Sequence, residues 1–488
     1  METVIRKRIT QAGVLGILLA GFLGAFVVLG PGVYNDSDQY ISMHIHREPL
    51  YPLFLALMRR LAGEQWLTAM GVIQNILAAG SIWYFSEYIS RTFRLRWWGR
   101  LIVTGLGVAP YLVTAFFSSL HIFLPNSVMS EGLCMPLFLF FMTACFRICL
   151  EQGRKRKTAM GAALLLALIL SLTRSQMMLT ILLWFVVTAG VIWLDPEVPE
   201  AERRAGRFQS LLPGKRQLLC LLAAVGMVVL IFVLRLFAVK SYNLVVHGHF
   251  INNTYGAVNT LTNILYAADR EDGEGIADDQ AREFFYQMYD LAWERQANYR
   301  FAGDSWTEQA DHLEMWHDTI KYEMIEDVFY QTYDREVTGD YILQNLMADE
   351  TAEQIMAGIF PSCFSRWLGN YLKMAAYGLI RSILVVHPLM SLMAAVCYLS
   401  LPVWMWLVWR RRRCGRVLAV MAVALLAVLA NAFAVALTIM CLSRYMIYGF
   451  TTFYTGYFLM ADAMLRGGKA EAGSTGLKGG EYNDRSHQ

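Results

Sequence analysis

The class of the fold is decided by residues 10–29, which read TQAGVLGILLAGFLGAFVVL and carry no charge. A helix of about 20 apolar residues is long enough to cross a bilayer. Similar runs lie at about 66–88, 101–120, 131–150, 158–172, 176–194, 218–237, 387–409, 417–442 and 445–465. Of the 488 residues, 56% are hydrophobic and 17% are charged, whereas about 25% are charged in soluble domains. The sequence therefore predicts an all-α polytopic membrane protein with about ten transmembrane helices.

Basic residues gather in alternate connecting segments, at 91–100, 154–157, 203–216 and 410–416. Cytoplasmic loops of membrane proteins carry an excess of Lys and Arg, so these segments and both termini are expected in the cytoplasm, in a multi-pass protein of the plasma membrane. The short run at 158–172 leaves two interpretations open. It either forms a tight outward hairpin with 176–194 around Arg174, or the two runs are one kinked span. The charge pattern favours the hairpin.

The chain divides into four predicted regions. Residues 241–366 hold 23 Asp and Glu against 7 Lys and Arg, which indicates an acidic, mainly helical extracytoplasmic domain. It follows an N-terminal membrane module with an external first loop (1–240) and precedes a C-terminal membrane module (367–466) and a disordered cytoplasmic tail (467–488). Apolar spacing predicts helices over 281–300 and from 306, the second capped by Asp304 or Ser305, and an amphipathic surface helix over 367–381. The overall net charge of +3 suggests no nucleic-acid partner.

The most informative polar segment directly follows the first span. It reads Asp36-Ser37-Asp38-Gln39-Tyr40 and, after His44 and His46, Arg47-Glu48-Pro49-Leu50-Tyr51-Pro52. Carboxylates at the outer membrane surface could provide a general base or a metal ligand for a lipid headgroup. An ordinary polar loop is the alternative. His44 and His46, and likewise His247 and His249, make a divalent cation possible. Polar loop histidines are the favoured interpretation, because alternating residues point the same way only on a strand and neither context is clearly one.

This order of motifs resembles the GT-C glycosyltransferases that use lipid-linked sugars, particularly the protein-mannosyltransferase-like and aminoarabinose-transferase-like branch. That family has an external Asp-(Glu or Ser)-x-x-Tyr motif after the first span and an Arg or His before Pro-x-Tyr-Pro. Ser130-Glu131, Thr173-Arg174-Ser175-Gln176 and Ser443-Arg444-Tyr445 resemble three further elements of the family. Ser37 stands where a typical member has Glu, and Asp38 follows, which leaves open whether Asp36 or Asp38 is the base. The region 241–366 has no counterpart in this resemblance.

The resemblance implies an enzyme that transfers a sugar from a polyprenyl-phosphate donor to an acceptor at the outer face of the membrane. The candidate catalytic residues are Asp36, Asp38 and Glu131, and the candidate substrate-binding residues are Tyr40, His46, Arg47, Tyr51, Arg174 and Arg444. Interfacial anchoring by the arginines and a helix-start role for Glu131 are the alternatives. The chain could also be a transporter or flippase of lipid-linked sugars, or a scaffold whose acidic domain binds a partner. No cofactor is certain, and the sugar and the acceptor, whether glycan, lipid or protein, stay open.

Overall fold

The computed structural model describes residues 2–34, 36–116, 121–194, 215–336, 339–383, 388–410 and 415–466. Within these ranges the chain is helical, and a single isolated bridge between Gly32 and Ser127 is its only β-type pairing. The all-α prediction is confirmed. The predicted tail at 467–488, the basic residues at 203–207 and 411–413, and His387 lie outside the described ranges.

Eight helices are long and apolar enough to cross a membrane, at Gln11–Leu29, Trp97–Phe116, Ser130–Leu150, Gly153–Thr173, Ser175–Leu194, Lys215–His247, Leu392–Arg410 and Gly415–Thr438. The described chain is thus a helical multi-pass membrane protein, with fewer such helices than the ten that the sequence predicts. The helix Trp66–Thr92 is 27 residues long, but Gln74 and Asn75 lower its hydropathy. The helix Phe450–Leu465 has only 16 residues. Both nevertheless pack against membrane helices.

The helices of the membrane bundle are numbered in chain order. The first five are α1 (Glu2–Leu29), α2 (Ser37–Ile41), α3 (Leu50–Ala62), α4 (Trp66–Thr92) and α5 (Trp97–Phe116). They are followed by α6 (Ser130–Leu150), α7 (Gly153–Thr173), α8 (Leu179–Leu194) and α9 (Lys215–His247). After the acidic region come α15 (Pro388–Arg410), α16 (Gly415–Thr438), α17 (Ser443–Met446) and α18 (Phe450–Leu465).

The runs around Arg174 form a hairpin of two separate helices, as predicted. Helix α7 has 21 residues, so it is longer than the run at 158–172 suggested. Arg174 is extended, and a 3-10 turn at Ser175–Met178 leads into α8. Thr180 donates to the carbonyl of Ala167 at 3.5 Å, and Trp184, further along α8, donates to the carbonyl of Met160, further back in α7, at 2.9 Å. The two helices are therefore antiparallel, and the kinked-span interpretation is wrong.

The acidic region folds into helices that share one apolar core. They are α10 (Gly256–Tyr266), α11 (Asp279–Glu294), α12 (Trp306–Thr319), a π-helical segment (Ile320–Glu326), α13 (Asp327–Glu336) and α14 (Tyr341–Ile383). Ser305 caps α12 in a capping box with Glu308, which confirms one of the two predicted caps. Helix α11 ends at Glu294 rather than at residue 300. The buried core of this region continues onto Ala432 and Val435 of α16, so the region rests on the membrane bundle.

Helix α14 has 43 residues and passes through Pro361 without ending. The boundary predicted between 366 and 367 falls inside it, and the boundary between 240 and 241 falls inside α9. The separate surface helix predicted at 367–381 is therefore wrong. Met374 and Ala375 in this stretch are buried, because α14 packs against α16 here. A change from polar to apolar composition thus marks a change of surroundings and not a break in the helix.

Four segments meet at one end of the bundle and form the floor of a polar site. They are the loop between α1 and α3, the start of α6, the turn between α7 and α8, and the segment around α17. Between the first two segments, the backbone N–H of Gly32 donates to the carbonyl of Asn126, and the N–H of Val128 donates to the carbonyl of Gly32. Gln176 in the turn donates to the carbonyl of Tyr445 at 2.9 Å. Residues far apart in the chain are fixed beside one another by these contacts.

Candidate functional site

Asp36 is bound by two arginines from opposite ends of the chain. Arg47 Nη2 donates to Asp36 Oδ1 at 3.1 Å, and Arg444 Nη2 donates to Oδ2 at 3.2 Å. The Asp36 side chain is 31% exposed, so the pair of contacts lies at an accessible surface. Both carboxylate oxygens are therefore occupied by cations from separate segments.

The local fold of the first loop directs Asp36 toward these arginines. The next residue, Ser37, is fully buried, and its hydroxyl donates to the carbonyl of Val128 at 2.8 Å. This bond fixes the start of α2 on the segment that precedes α6. Asp38 is exposed and makes no side-chain hydrogen bond or ion pair to another described residue. The structure thus places Asp36 in the cluster and Asp38 outside it.

Burial and charge act on Asp36 in opposite directions. Burial raises the pKa of its carboxyl, but the guanidinium groups of Arg47, Arg444 and Arg174 together bring that pKa below its ordinary value. Asp36 is consequently ionised at neutral pH. If the neighbouring arginines bind another anion, their effect on Asp36 becomes weaker and the pKa of Asp36 rises.

A second ion pair lies deeper in the same cluster. Arg174 Nη1 lies 3.0 Å from Glu131 Oε1 and donates to Ser130 Oγ at 3.0 Å. The Glu131 side chain is only 1% exposed, while that of Arg174 is 13% exposed. The hydroxyl groups of Ser130 and Tyr40 are 3.0 Å apart. The buried carboxylate of Glu131 therefore holds Arg174 in place rather than facing solvent.

Aromatic rings fix the three guanidinium groups. Arg47 lies over the ring of Tyr40 at 4.6 Å, and both Arg174 and Arg444 lie over Tyr445 at 4.5 and 4.8 Å. Such cation–π contacts orient a guanidinium without using its hydrogen-bond donors. Arg444 Nε is buried and has no hydrogen-bond acceptor among the described residues. The cluster thus retains donor capacity for an anion.

Two predicted substrate-binding residues occupy positions around the cluster instead of within it. Tyr51 is fully buried, donates to Gln74 at 3.1 Å and packs edge-on against Tyr40 at 5.1 Å. Its position is that of a support for Tyr40, so direct substrate contact by Tyr51 does not agree with the structure. His46 is half-buried, and its ring is tilted against that of His44 with ring centroids 3.7 Å apart.

His44 and His46 of the first loop contact the acidic region. The hydroxyl of Tyr341 contacts His44, and the ring of Tyr255 lies 5.2 Å from that of His46. Burial, followed by the charge of Arg47, lowers the pKa of His44 to about 4. Burial and the neighbouring His44 and Arg47 lower that of His46 to about 2. Both rings are neutral at physiological pH. No group of three His, Cys, Asp or Glu suited to a metal ion occurs in the described ranges.

Lys321 is a functional candidate that the sequence analysis missed. It lies in the π-helical segment, a feature that is frequent at functional sites. Its ammonium group lies 5.0 Å from the ring centroid of Tyr255. Burial lowers the pKa of Lys321 to about 8, with Arg47 adding to the decrease, while Asp318 opposes it. One signal was available, since Lys321 is the only Lys or Arg between Arg300 and Arg335.

Comparisons with known proteins yield one weak structural likeness. No family model matches the chain, and no curated protein matches it. Among solved structures, the chain is similar to ArnT from Cupriavidus metallidurans in the apo state, with 14% sequence identity. The match covers 88% of this chain and 71% of that chain, with a TM-score of 0.27. A likeness of this size is too weak to support conclusions about activity, which are drawn below from the residues of the site.

The arrangement as a whole is a cluster of guanidinium groups that also contains a carboxylate. The structure brings together Asp36, Tyr40, Arg47, Glu131, Arg174 and Arg444 from the predicted set. The three arginines and two carboxylates of this set leave a formal excess of one positive charge. Guanidinium groups bind phosphate oxygens in a bidentate manner and remain charged at any relevant pH. The site is therefore suited to a phosphate monoester or diester next to a group that accepts a proton.

Proposed function

We propose that the protein is an integral membrane glycosyltransferase of the GT-C type. It transfers a sugar from a polyprenyl-phosphate donor to an acceptor at the outer face of the plasma membrane. The observation that carries the proposal is the bridging of Asp36 by Arg47 and Arg444 at the end of the membrane bundle. In the proposed topology both termini are cytoplasmic, so this end of the bundle faces outward.

Donor binding follows from the charges of the site. The phosphate of the donor would bind Arg444, Arg174 and Arg47, and the prenyl chain would lie among the membrane helices. Arg444 Nε, which lacks an acceptor among the described residues, would donate to a phosphate oxygen. Phosphate binding partly neutralises the guanidinium charges near Asp36. The pKa of Asp36 then rises, which makes this carboxylate a better base when the donor is present.

The reaction needs one base and a stabilised leaving group. Asp36 removes the proton of the acceptor hydroxyl as the acceptor oxygen attacks the anomeric carbon of the sugar. The bond between that carbon and the phosphate oxygen breaks, and the electron pair leaves with the polyprenyl phosphate. The arginines stabilise the charge that develops on that oxygen. A single displacement of this kind inverts the anomeric centre.

The remaining residues support these two roles. Glu131 positions Arg174, and Tyr40 orients Arg47 through its ring and its hydroxyl, which accepts from Arg47 Nη1 at 3.3 Å. The acidic region contributes Lys321 and Tyr341, beside His46 of the first loop, on the side away from the membrane. That side is where a hydrophilic acceptor would approach Asp36. We therefore assign the acidic region to the acceptor side of the site.

Donor binding by Arg444 gives the first test of this function. In nanodiscs, the unaltered protein should bind a polyprenyl phosphate, and Arg444→Gln should weaken binding by about 10- to 100-fold because a charge-assisted hydrogen bond is lost. The matched control is Arg59→Gln, because Arg59 bonds to the Ile41 carbonyl and stacks on Trp66 outside the cluster. Equal binding by both variants would argue against the proposed phosphate site.

The same preparation separates the enzyme from a transporter. With a radiolabelled polyprenyl-phosphate sugar and a membrane extract as the source of acceptor, label should move from the lipid to an acceptor. A flippase would instead carry labelled lipid between the leaflets without transfer. The described ion pairs of the site lie at span ends, whereas transporters place such groups near the midplane.

The pH dependence of donor binding tests the part played by Lys321. A lysine with a pKa of about 8 loses its positive charge as the pH rises through that value. Phosphate binding should therefore weaken between about pH 7 and pH 9. Lys321→Arg keeps the charge across this range, so its binding should stay level with pH. A decline of the same size in Lys321→Arg would show that another group is responsible.

A further inference from the structure

A network of amide hydrogen bonds joins the turn after α7 to the segment around α17. Gln176 Nε2 donates to the carbonyl of Tyr445 at 2.9 Å and to Asn431 Oδ1 at 2.7 Å. Asn431 Nδ2 donates to the same Tyr445 carbonyl at 2.8 Å. Arg174 Nε donates to Gln176 Oε1 at 2.9 Å, so one arginine of the site belongs to the network. Two side-chain amides thus use both lone pairs of the carbonyl of Tyr445, the residue after Arg444.

Asn431 is a buried amide inside an apolar membrane helix. It is 2% exposed, and it is the only amide or charged side chain of α16 beyond Arg416. Burying an amide costs free energy unless hydrogen bonds compensate for the lost water. The compensating partners of Asn431 are Gln176 and Tyr445, which belong to other segments of the site. The amide at this position therefore connects α16 to the site.

Tyr445 is the shared support of two arginines. Arg174 and Arg444 lie over its ring at 4.5 and 4.8 Å, and Arg444 Nη2 also donates to its hydroxyl at 2.8 Å. Helix α17, which carries Tyr445, has four residues. A helix of one turn is not stable through its own hydrogen bonds, so its position depends on contacts with other elements. The amides that hold the Tyr445 carbonyl provide such contacts.

We propose that Gln176 and Asn431 are positioning residues for the donor phosphate. They hold Tyr445 in place, so that the two arginines over its ring face the same phosphate. Neither amide contacts the donor itself. The inference rests on the proposed function, because it assigns these residues to the phosphate site of that reaction.

The two arginines depend on the network to different degrees. Arg174 is also held by Glu131 and by the hydroxyl of Ser130, each at 3.0 Å. Arg444 lies in the short segment that the network fixes, and it moves whenever that segment moves. Asn431 therefore acts on the phosphate chiefly through Arg444.

Binding of polyprenyl phosphate to the full-length protein in nanodiscs tests this dependence. Asn431→Leu should weaken binding about 10-fold, because a misdirected guanidinium loses about one charge-assisted hydrogen bond. In the Arg444→Gln background the same change should cost less than about two-fold, because the group through which it acts is absent. A loss of equal size in both backgrounds would show general destabilisation and overturn the proposal. The control is Tyr457→Phe, which removes bonds to Ser400 and to the carbonyl of Cys397 within the C-terminal helices and should keep full affinity.

A second variant and a second measurement do not depend on ligand binding. Gln176 is half-buried, so Gln176→Met, of similar length, is accommodated while the amide bonds are lost. The backbone N–H groups of Tyr445 and Met446 both donate to the carbonyl of Leu442. Their hydrogen exchange without ligand should be about 10-fold faster in Gln176→Met and in Asn431→Leu, because α17 opens more often.

The two measurements separate this inference from the proposed function. If the unaltered protein does not bind polyprenyl phosphate, the proposed function is wrong and this inference falls with it. If the unaltered protein binds the lipid and Arg444→Gln weakens that binding, the phosphate site stands. Unchanged affinity and unchanged exchange in both amide variants would then overturn the positioning role alone.

Discussion

Replacing Asp36 with Asn is expected to reduce sugar transfer by about 10²- to 10⁴-fold, the range typical for the loss of a general base. The amide keeps the size of the carboxylate but cannot accept the proton of the acceptor hydroxyl. Donor binding should not weaken, because the arginines lose an internal competitor for their hydrogen bonds. The measurement is initial transfer rate with labelled donor, together with donor affinity for the same preparation.

Asp38→Asn is the matched control for this experiment. Asp38 is two residues away and has the same side chain, but it is exposed and lies outside the cluster. Its transfer rate should be close to that of the unaltered protein. The assignment of the base to Asp36 fails if Asp36→Asn retains full activity, or if Asp38→Asn is the variant that loses it.

Arg174→Met is expected to have the largest effect on stability, lowering the free energy of unfolding by about 3–5 kcal/mol. Its partner Glu131 is 1% exposed, so removing the guanidinium leaves a buried carboxylate without its closest cation. Arg444 Nε is 4.0 Å from Glu131, too far to replace the lost contact in full. Thermal unfolding in detergent, followed by tryptophan fluorescence, measures the change.

A second substitution distinguishes this cause from a simple loss of packing. Glu131→Gln in the Arg174→Met background removes the unpaired charge and should recover much of the stability. The control is Arg270→Met, whose ion pair with Asp290 is exposed on both sides, so its loss should not measurably alter unfolding. If the double variant is no more stable than Arg174→Met, charge burial is not the reason for the destabilisation.

The membrane architecture was predictable because its signal is local. Uncharged runs such as 10–29 identify spanning helices whatever their neighbours, and the hairpin around Arg174 agrees with the charge pattern. The predicted number of ten transmembrane helices depends on more than local hydropathy. Gln74 and Asn75 reduce the hydropathy of α4, and both are buried through contacts inside the bundle, including hydrogen bonds to the carbonyl of Pro125. Hydropathy alone does not report such internal partners.

The site was predictable only in part, because its geometry depends on contacts between distant segments. The order of spans predicts Asp36, Arg174 and Arg444 at the same end of the bundle, where the structure has them. It does not predict which of Asp36 and Asp38 contacts the arginines, since that depends on the bond from Ser37 to the carbonyl of Val128. The burial of Tyr51 likewise depends on α4.

Lys321 illustrates a second limit of sequence reasoning. Apolar spacing in the acidic region predicts its helices, but not how they pack against the membrane bundle. Packing of this region on α16 brings the π-helical segment close enough for Arg47 to affect the pKa of Lys321. The unbroken helix α14, which carries the chain from this region back to the bundle, was hidden by the change in composition near residue 366.

We propose that Asp36, Arg47, Arg174 and Arg444 form one site for the phosphate of a lipid-linked sugar. A cryo-electron microscopy structure with bound polyprenyl phosphate would show whether they do. We expect the phosphate oxygens within hydrogen-bond distance of Arg444 and at least one of Arg47 and Arg174, with Asp36 released from one of its present partners. A phosphate bound elsewhere, with both ion pairs of Asp36 unchanged, would contradict the claim.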